Sequence, residues 1–179
     1  MREADRRAFE NDQEARAVDC WDAAEEYDRR TWTQAGRLDS LAAEWQRELV
    51  ALERVQREIS NGGYIQFLVN CGRESYVYAS RALKKIGAHS MAEIIDRGQA
   101  LVDDCFPSED KSPDELEPLL RNVVLGARGI VLKEFGSVLP DAVYEEILNL
   151  SFEYMDDPDD VYTLAQNQNG PLIESDTRA

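Results

Sequence analysis

From Leu41 onward the apolar residues of this chain recur at three- and four-residue steps, and no convincing alternating pattern replaces them. Trp45, Leu49, Leu52, Val55 and Ile59 share one side of a helix, the signature of an element with a single core-facing stripe. Glu44, Arg47, Glu48, Arg54, Arg57 and Glu58 fill the other side with mixed charge. Asn61-Gly62-Gly63 then predicts a stop, because glycine reaches the left-handed backbone that helix ends use. Tyr64 to Asn70 reads as one or two further turns of helix. A second amphipathic stretch, with Tyr76, Ala79, Leu83 and Ile86 on one face, ends at Gly87. Ser90-Met91-Ala92-Glu93 has capping-box spacing and opens a helix that carries Ile94, Ile95, Leu101 and Val102. Ser112-Pro113-Asp114-Glu115 repeats the signal, with Pro118 close behind. Pro140-Asp141 opens the last clear helix, whose stripe is Val143, Ile147, Leu150 and Tyr154.

At 179 residues and 43% hydrophobic content, the chain has material for one sizeable core rather than two. The expectation is an all-α fold: a single compact helical domain of about six to eight helices. Residues 1–18 read as a charged arm or loose helix, 19–162 as the helical domain and 163–179 as a polar tail. Residues 107–111 read as a loop.

The net charge is -16, and it is unevenly spread. Residues 1–60 carry a net of -5, residues 61–100 a net of +2, and residues 101–179 a net of -13. A field of that sign repels nucleic acid and membranes and attracts basic surfaces. Surplus surface acid also serves solubility or salt adaptation, and only four lysines stand beside sixteen arginines. On charge alone the two readings stand level. No window is apolar enough to cross a bilayer, and Cys20, Cys71 and Cys105 signal neither a disulfide framework nor a zinc ribbon. The expected location is cytoplasmic.

The run Asn61-Gly62-Gly63-Tyr64, followed by Gln66, Phe67 and Asn70, resembles the bacterial DNA-mimic protein family. That family follows a pattern of Asn-Gly-Gly, an aromatic residue, then Gln, a second aromatic and Asn. Ala82, Leu83, Ile86, Gly87 and Ala88 match its continuation, as do Ala92, Ile94 and Ile95, over roughly residues 50–105. The resemblance implies an all-helical, dimeric, acidic protein that displays carboxylates in place of DNA phosphates. The matched run lies in the least acidic part of the chain, so the motif itself is not the mimic surface.

Read from the residues, Asn61-Gly62-Gly63 makes a turn between packed helices. Gln66 and Asn70, four apart, share a helical face where their amides satisfy buried backbone groups. The alternative is a small-molecule-binding module, with Asn61, Tyr64, Gln66 and Asn70 lining a polar pocket. On the last helix Glu146, Glu153 and Asp157 fall at steps of about 10 and 6 Å along the axis, on the face opposite Val143 and Ile147. That spacing is comparable to successive phosphates of one DNA strand. Glu145 flanks them, and Asp156, Asp159 and Asp160 cluster around Pro158. Asp103, Asp104, Glu109, Asp110, Asp114, Glu115 and Glu117 form a second patch.

The aspartates around Pro158 lack the alternating ligands, glycine and terminal glutamate of an EF-hand, so no metal is expected. His89, the only histidine, reads as a helix-boundary residue. Cys71 packs behind the turn, Cys105 has no activating arrangement, and Gly126 to Gly129 reads as a close helix contact. No phosphate loop or dinucleotide fingerprint is present. The expected function is therefore non-catalytic and cofactor-free: an acidic protein that binds the basic face of a DNA-binding protein and competes with DNA. Its partner is a transcriptional regulator or nucleoid protein, with no direct contact to nucleic acid or membrane. Glu145, Glu146, Glu153, Asp156, Asp157, Asp159 and Asp160 are the candidate contacts.

Overall fold

Residues 20–31, 37–105 and 141–176 are described by the structure, a computed structural model. Helix α1 covers residues 20–31, and a short 3-10 turn spans Leu38–Ser40. Helix α2 runs over Glu44–Ile86, α3 over His89–Cys105, α4 over Asp141–Met155 and α5 over Val161–Asp176. The fold is all-α, as the periodicity predicts, with no strand among the described residues. The charged arm at 1–18, the loop at 107–111, the helix opened by Ser112 and the contact between Gly126 and Gly129 lie outside the described residues.

Helix α2 departs from the predicted stop in an informative way. Its 43 residues, if straight, would extend about 64 Å. Instead Arg81 donates to Glu44 at 2.5 Å, Arg47 to the Tyr78 hydroxyl at 3.4 Å, and Lys85 to Glu48 at 2.6 Å. Residues 44–62 and 64–86 therefore run antiparallel as two arms. The reversal sits where the Asn-Gly-Gly motif predicts it, yet helical residues continue through it. Gly63 alone takes the left-handed backbone, at φ +78°. Its amide neighbour Tyr64 N–H points to the Ser151 hydroxyl of α4 at 2.7 Å. Gly63 is required twice over, since a Cβ there would also lie 2.9 Å from Ser151 Oγ. The second arm ends at Gly87 (φ +92°), with Ala88 N–H bonding back to the Leu83 carbonyl at 2.9 Å.

The core follows the predicted stripes. Leu49, Leu52, Val55 and Ile59 from the first arm are buried with Phe67, Leu68, Tyr76 and Leu83 from the second. Ile95 of α3 and Ile147, Leu150 and Tyr154 of α4 close over them. Each fully buried aliphatic side chain here stabilises the fold by about 1.5–3 kcal/mol.

Three local expectations are corrected. Glu48, Arg54 and Glu58, read as part of a mixed-charge face turned away from the core, are buried. Helix α1 covers part of that face, and its Asp28 takes Arg54. Second, Ser90 caps nothing: α3 begins at His89, and the Ser90 hydroxyl donates to Asp157 across the fold at 2.5 Å. Third, residues 163–176 of the expected polar tail belong to α5. Their stripe is Val161, Ala165 and Asn169, small or polar residues that do not announce a core face.

Candidate functional site

Two groups of residues compete for a functional role, the motif at the bend of α2 and the acidic hairpin of α4 and α5, two helices joined by a short loop that pack on α2 rather than on each other. At the bend, Gln66 and Asn70 donate their amides to one carboxylate oxygen of Glu58, at 2.8 and 2.6 Å. Arg57 Nε reaches the other oxygen at 3.1 Å. A buried glutamate, rather than the expected backbone groups, is what this helical face satisfies. Tyr64 and Phe67 are fully buried and meet edge-to-face, their ring centroids 6.0 Å apart. The Tyr64 hydroxyl donates to the Ile95 carbonyl at 2.8 Å, and burial pushes its pKa up. Its ring rests so closely on Gly98 of α3 that a Cβ there would meet ring atoms at 2.3 Å. Gly62 and Asn61 are exposed at the tip. These contacts use Tyr64, Gln66 and Asn70 internally, so the bend is packed rather than open for a small molecule.

Glu58 belongs to a larger buried network that the sequence did not expose. Arg54 donates to Asp28 through Nε and Nη2 at 2.9 and 2.6 Å, to Thr31 at 2.9 Å and to Ser75 at 3.1 Å. Arg57 contacts both oxygens of Glu53 at 2.6 Å. Burial pushes the Glu53 carboxyl above its ordinary value, Arg57 opposes that, and Asp28 adds to it. This network joins α1 to both arms of α2, and it has the character of a structural tie. Removing one member would leave an uncompensated buried charge.

The acidic hairpin is assembled differently. Ile147, Leu150 and Tyr154 hold α4 against the core, while Val161 and Ala165 hold α5. Glu145, Glu146, Glu153, Asp156 and Asp160 are exposed, and Asp157 and Asp159 are half-buried. The seven are not equivalent. Glu153 and Glu146 both face Arg97 of α3, at 2.6 and 3.5 Å, and so lose part of their field. Asp157 accepts from Ser90 and from Asp159 N–H at 3.0 Å. Asp160 caps α5, accepting the Thr163 amide at 3.1 Å and its hydroxyl at 2.7 Å. Asp157 and Asp160 therefore shape the loop, and Glu145, Asp156 and Asp159 carry the outward charge. From the second patch, Asp103 and Asp104 lie on α3; Glu109, Asp110, Asp114, Glu115 and Glu117 fall outside the described residues.

Groups for catalysis find little support. His89 is exposed at the first turn of α3, and burial raises the pKa of the half-buried Cys71 thiol, which keeps it protonated. Nothing is described of the Cys105 side chain. Among the described residues, no three His, Cys, Asp or Glu side chains are grouped to hold a metal ion. No described helix is long and apolar enough to cross a membrane.

Residues 39–123 match the family model of the DMP19-like proteins. Just under half of the chain is thus similar to the DMP19-like proteins. The match contains all of α2 and α3, and with them the Asn-Gly-Gly motif and the Ile-Gly-Ala step at Ile86 to Ala88. This is the DNA-mimic family that the motif resembles, and the family is generally non-catalytic. The acidic hairpin, at 141–176, lies outside the DMP19-like match. No curated protein and no solved structure matches the chain.

Proposed function

We propose that this chain is a non-catalytic, acidic interaction protein that occupies the basic face of a DNA-binding protein and excludes DNA from it. The observation that carries this reading is the charge of the α4–α5 hairpin. Residues 141–176 hold ten Asp and Glu and no Lys or Arg. Buried residues on both helices fix that charge in place, which is what a surface standing in for a phosphate array needs. The DMP19-like domain then serves as the scaffold. Its bent α2 anchors α4 through Tyr64 and Ser151, and its α3 anchors it through Arg97.

Within the hairpin, Glu145, Asp156 and Asp159 supply most of the attraction, because Glu146 and Glu153 share Arg97 and Asp157 and Asp160 hold the loop. A transcriptional regulator or nucleoid protein fits as partner, and a cytoplasmic location fits such a partner. The homodimer implied by the family resemblance presents two hairpins.

The test is competition. The immobilised protein is loaded with basic DNA-binding proteins from the source cells, then eluted with rising salt and, separately, with double-stranded DNA. Release by both is expected, and Glu145→Lys with Asp156→Lys should abolish retention. Retention that neither DNA nor salt reverses would refute the proposal.

A further inference from the structure

Phe152 and Met155 are 61% and 49% exposed on α4. They are three residues apart, hence neighbours on one helical face, and the core side of α4 is held by Ile147, Leu150 and Tyr154. Met155 continues into a cleft of about 200 Å³ where the end of α4 and the start of α5 meet Gln56 and Ser60 of α2 and Met91 of α3. The cleft is walled by Tyr162, itself 46% exposed, and rimmed by Asp157, Asp159 and Asp160. Asp156 follows Phe152 by one turn, its N–H bonded to the Phe152 carbonyl at 2.9 Å, and Glu145 precedes Phe152 by two turns. An apolar strip, Phe152–Met155–Tyr162, thus lies inside a ring of carboxylates with no cation on either helix.

A surface that only replaced phosphates would need no such strip. Carboxylates act at long range and weaken with salt, whereas apolar contact acts at short range and does not. A single exposed apolar residue needs no explanation, but three beside the carboxylates of α4 and α5 make a surface that an apolar side chain flanked by basic ones complements. Resting on the reading above, we propose that the partner engages this hairpin through a basic segment that carries an apolar side chain between its Lys or Arg residues. The apolar side chain seats on Phe152 and Met155. A neighbouring long basic side chain lays its methylene stem along Tyr162 in the cleft and reaches the aspartates with its head.

The probe is a short fluorescein-labelled Lys/Arg peptide with one central leucine, beside the same peptide with alanine at that place. Binding to the intact protein is followed by fluorescence anisotropy at about 0.05 and 0.5 M salt. The leucine peptide should bind about tenfold more tightly at both salt levels. Phe152→Ser and Met155→Ser should each erase that preference and leave the salt dependence intact. Both residues are exposed, and circular dichroism verifies the fold. Equal binding of the two peptides overturns the inference and leaves the charge-based function standing. A leucine preference unmoved by either variant places the seat elsewhere and also overturns it. Absence of binding by either peptide at low salt removes the acidic-surface reading and this inference together. Conversion of a dimer to a monomer by Phe152→Ser, read by light scattering, would identify a second copy of the chain as the occupant and overturn it likewise.

Discussion

Gly63 shows how much one residue decides here. Its left-handed backbone turns α2 back on itself, and its missing Cβ admits Ser151. Gly63→Ala meets both obstacles, so we expect a loss of about 1–3 kcal/mol in urea denaturation. The sequence revealed this residue because a Gly-Gly pair between two apolar stripes has few other uses. It concealed Arg54, Glu53 and Glu58, because charges on one helix look solvated until the covering helix is known. Only the i,i+4 pairing of Glu53 with Arg57 and of Arg54 with Glu58 hinted at order. Glu53 also carries a pH signature. Burial raises its native pKa above the unfolded value of about 4.3, so between the two the native state binds more protons. This contribution to stability is complete below the unfolded pKa and is lost as pH rises through the native one. Glu53→Gln retains a carbonyl for Arg57 and removes the titration. Urea midpoints measured across pH should therefore fall less steeply above pH of about 4.5 in Glu53→Gln than in the parent. Equal slopes would assign the pH dependence to other groups.

Among the elements, α2, α3 and α4 were legible because each presents large apolar residues at helical spacing. The start of α3 was misread by two residues, since Ser90 bonds to Asp157 instead of capping its own helix. Helix α5 was not legible at all. Its buried stripe is made of Val161, Ala165 and Asn169, and it contains Gly170 and Pro171, residues that usually break helices. What sequence could not convey was that α5 needs only small residues to nestle against α2. On the proposed function, the contact between α3 and α4 also tunes the charge that the partner meets. Arg97 pairs with Glu146 and Glu153 at a half-exposed site, where such pairs contribute at most about 1 kcal/mol. Arg97→Ala should leave stability almost unchanged and strengthen the negative field of α4. Association with the basic leucine peptide should then quicken at low salt in stopped-flow mixing and be unaltered at high salt. A slower association would mean that Arg97 orders the binding surface rather than screening it.

Taken whole, the molecule keeps two features apart: the DMP19-like match covers residues 39–123, and residues 141–176 hold ten Asp and Glu with no Lys or Arg. The acidic surface was visible in the sequence as composition, but the sorting of its seven candidates was not. Whether a carboxylate faces outward, caps a helix or meets Arg97 depends on the mutual placement of α3, α4 and α5. The bond from Tyr64 N–H to Ser151 adds a constraint in time. The two residues are 87 positions apart. At a synthesis rate of about 5–20 residues per second, Tyr64 exists for roughly 4–17 s before Ser151 is made. Before that interval closes, both arms of α2 have left the ribosome's active centre, and the Ser151 hydroxyl that the bend's amide will meet is still to be made. The bend is therefore locked from behind, by a helix translated well after it.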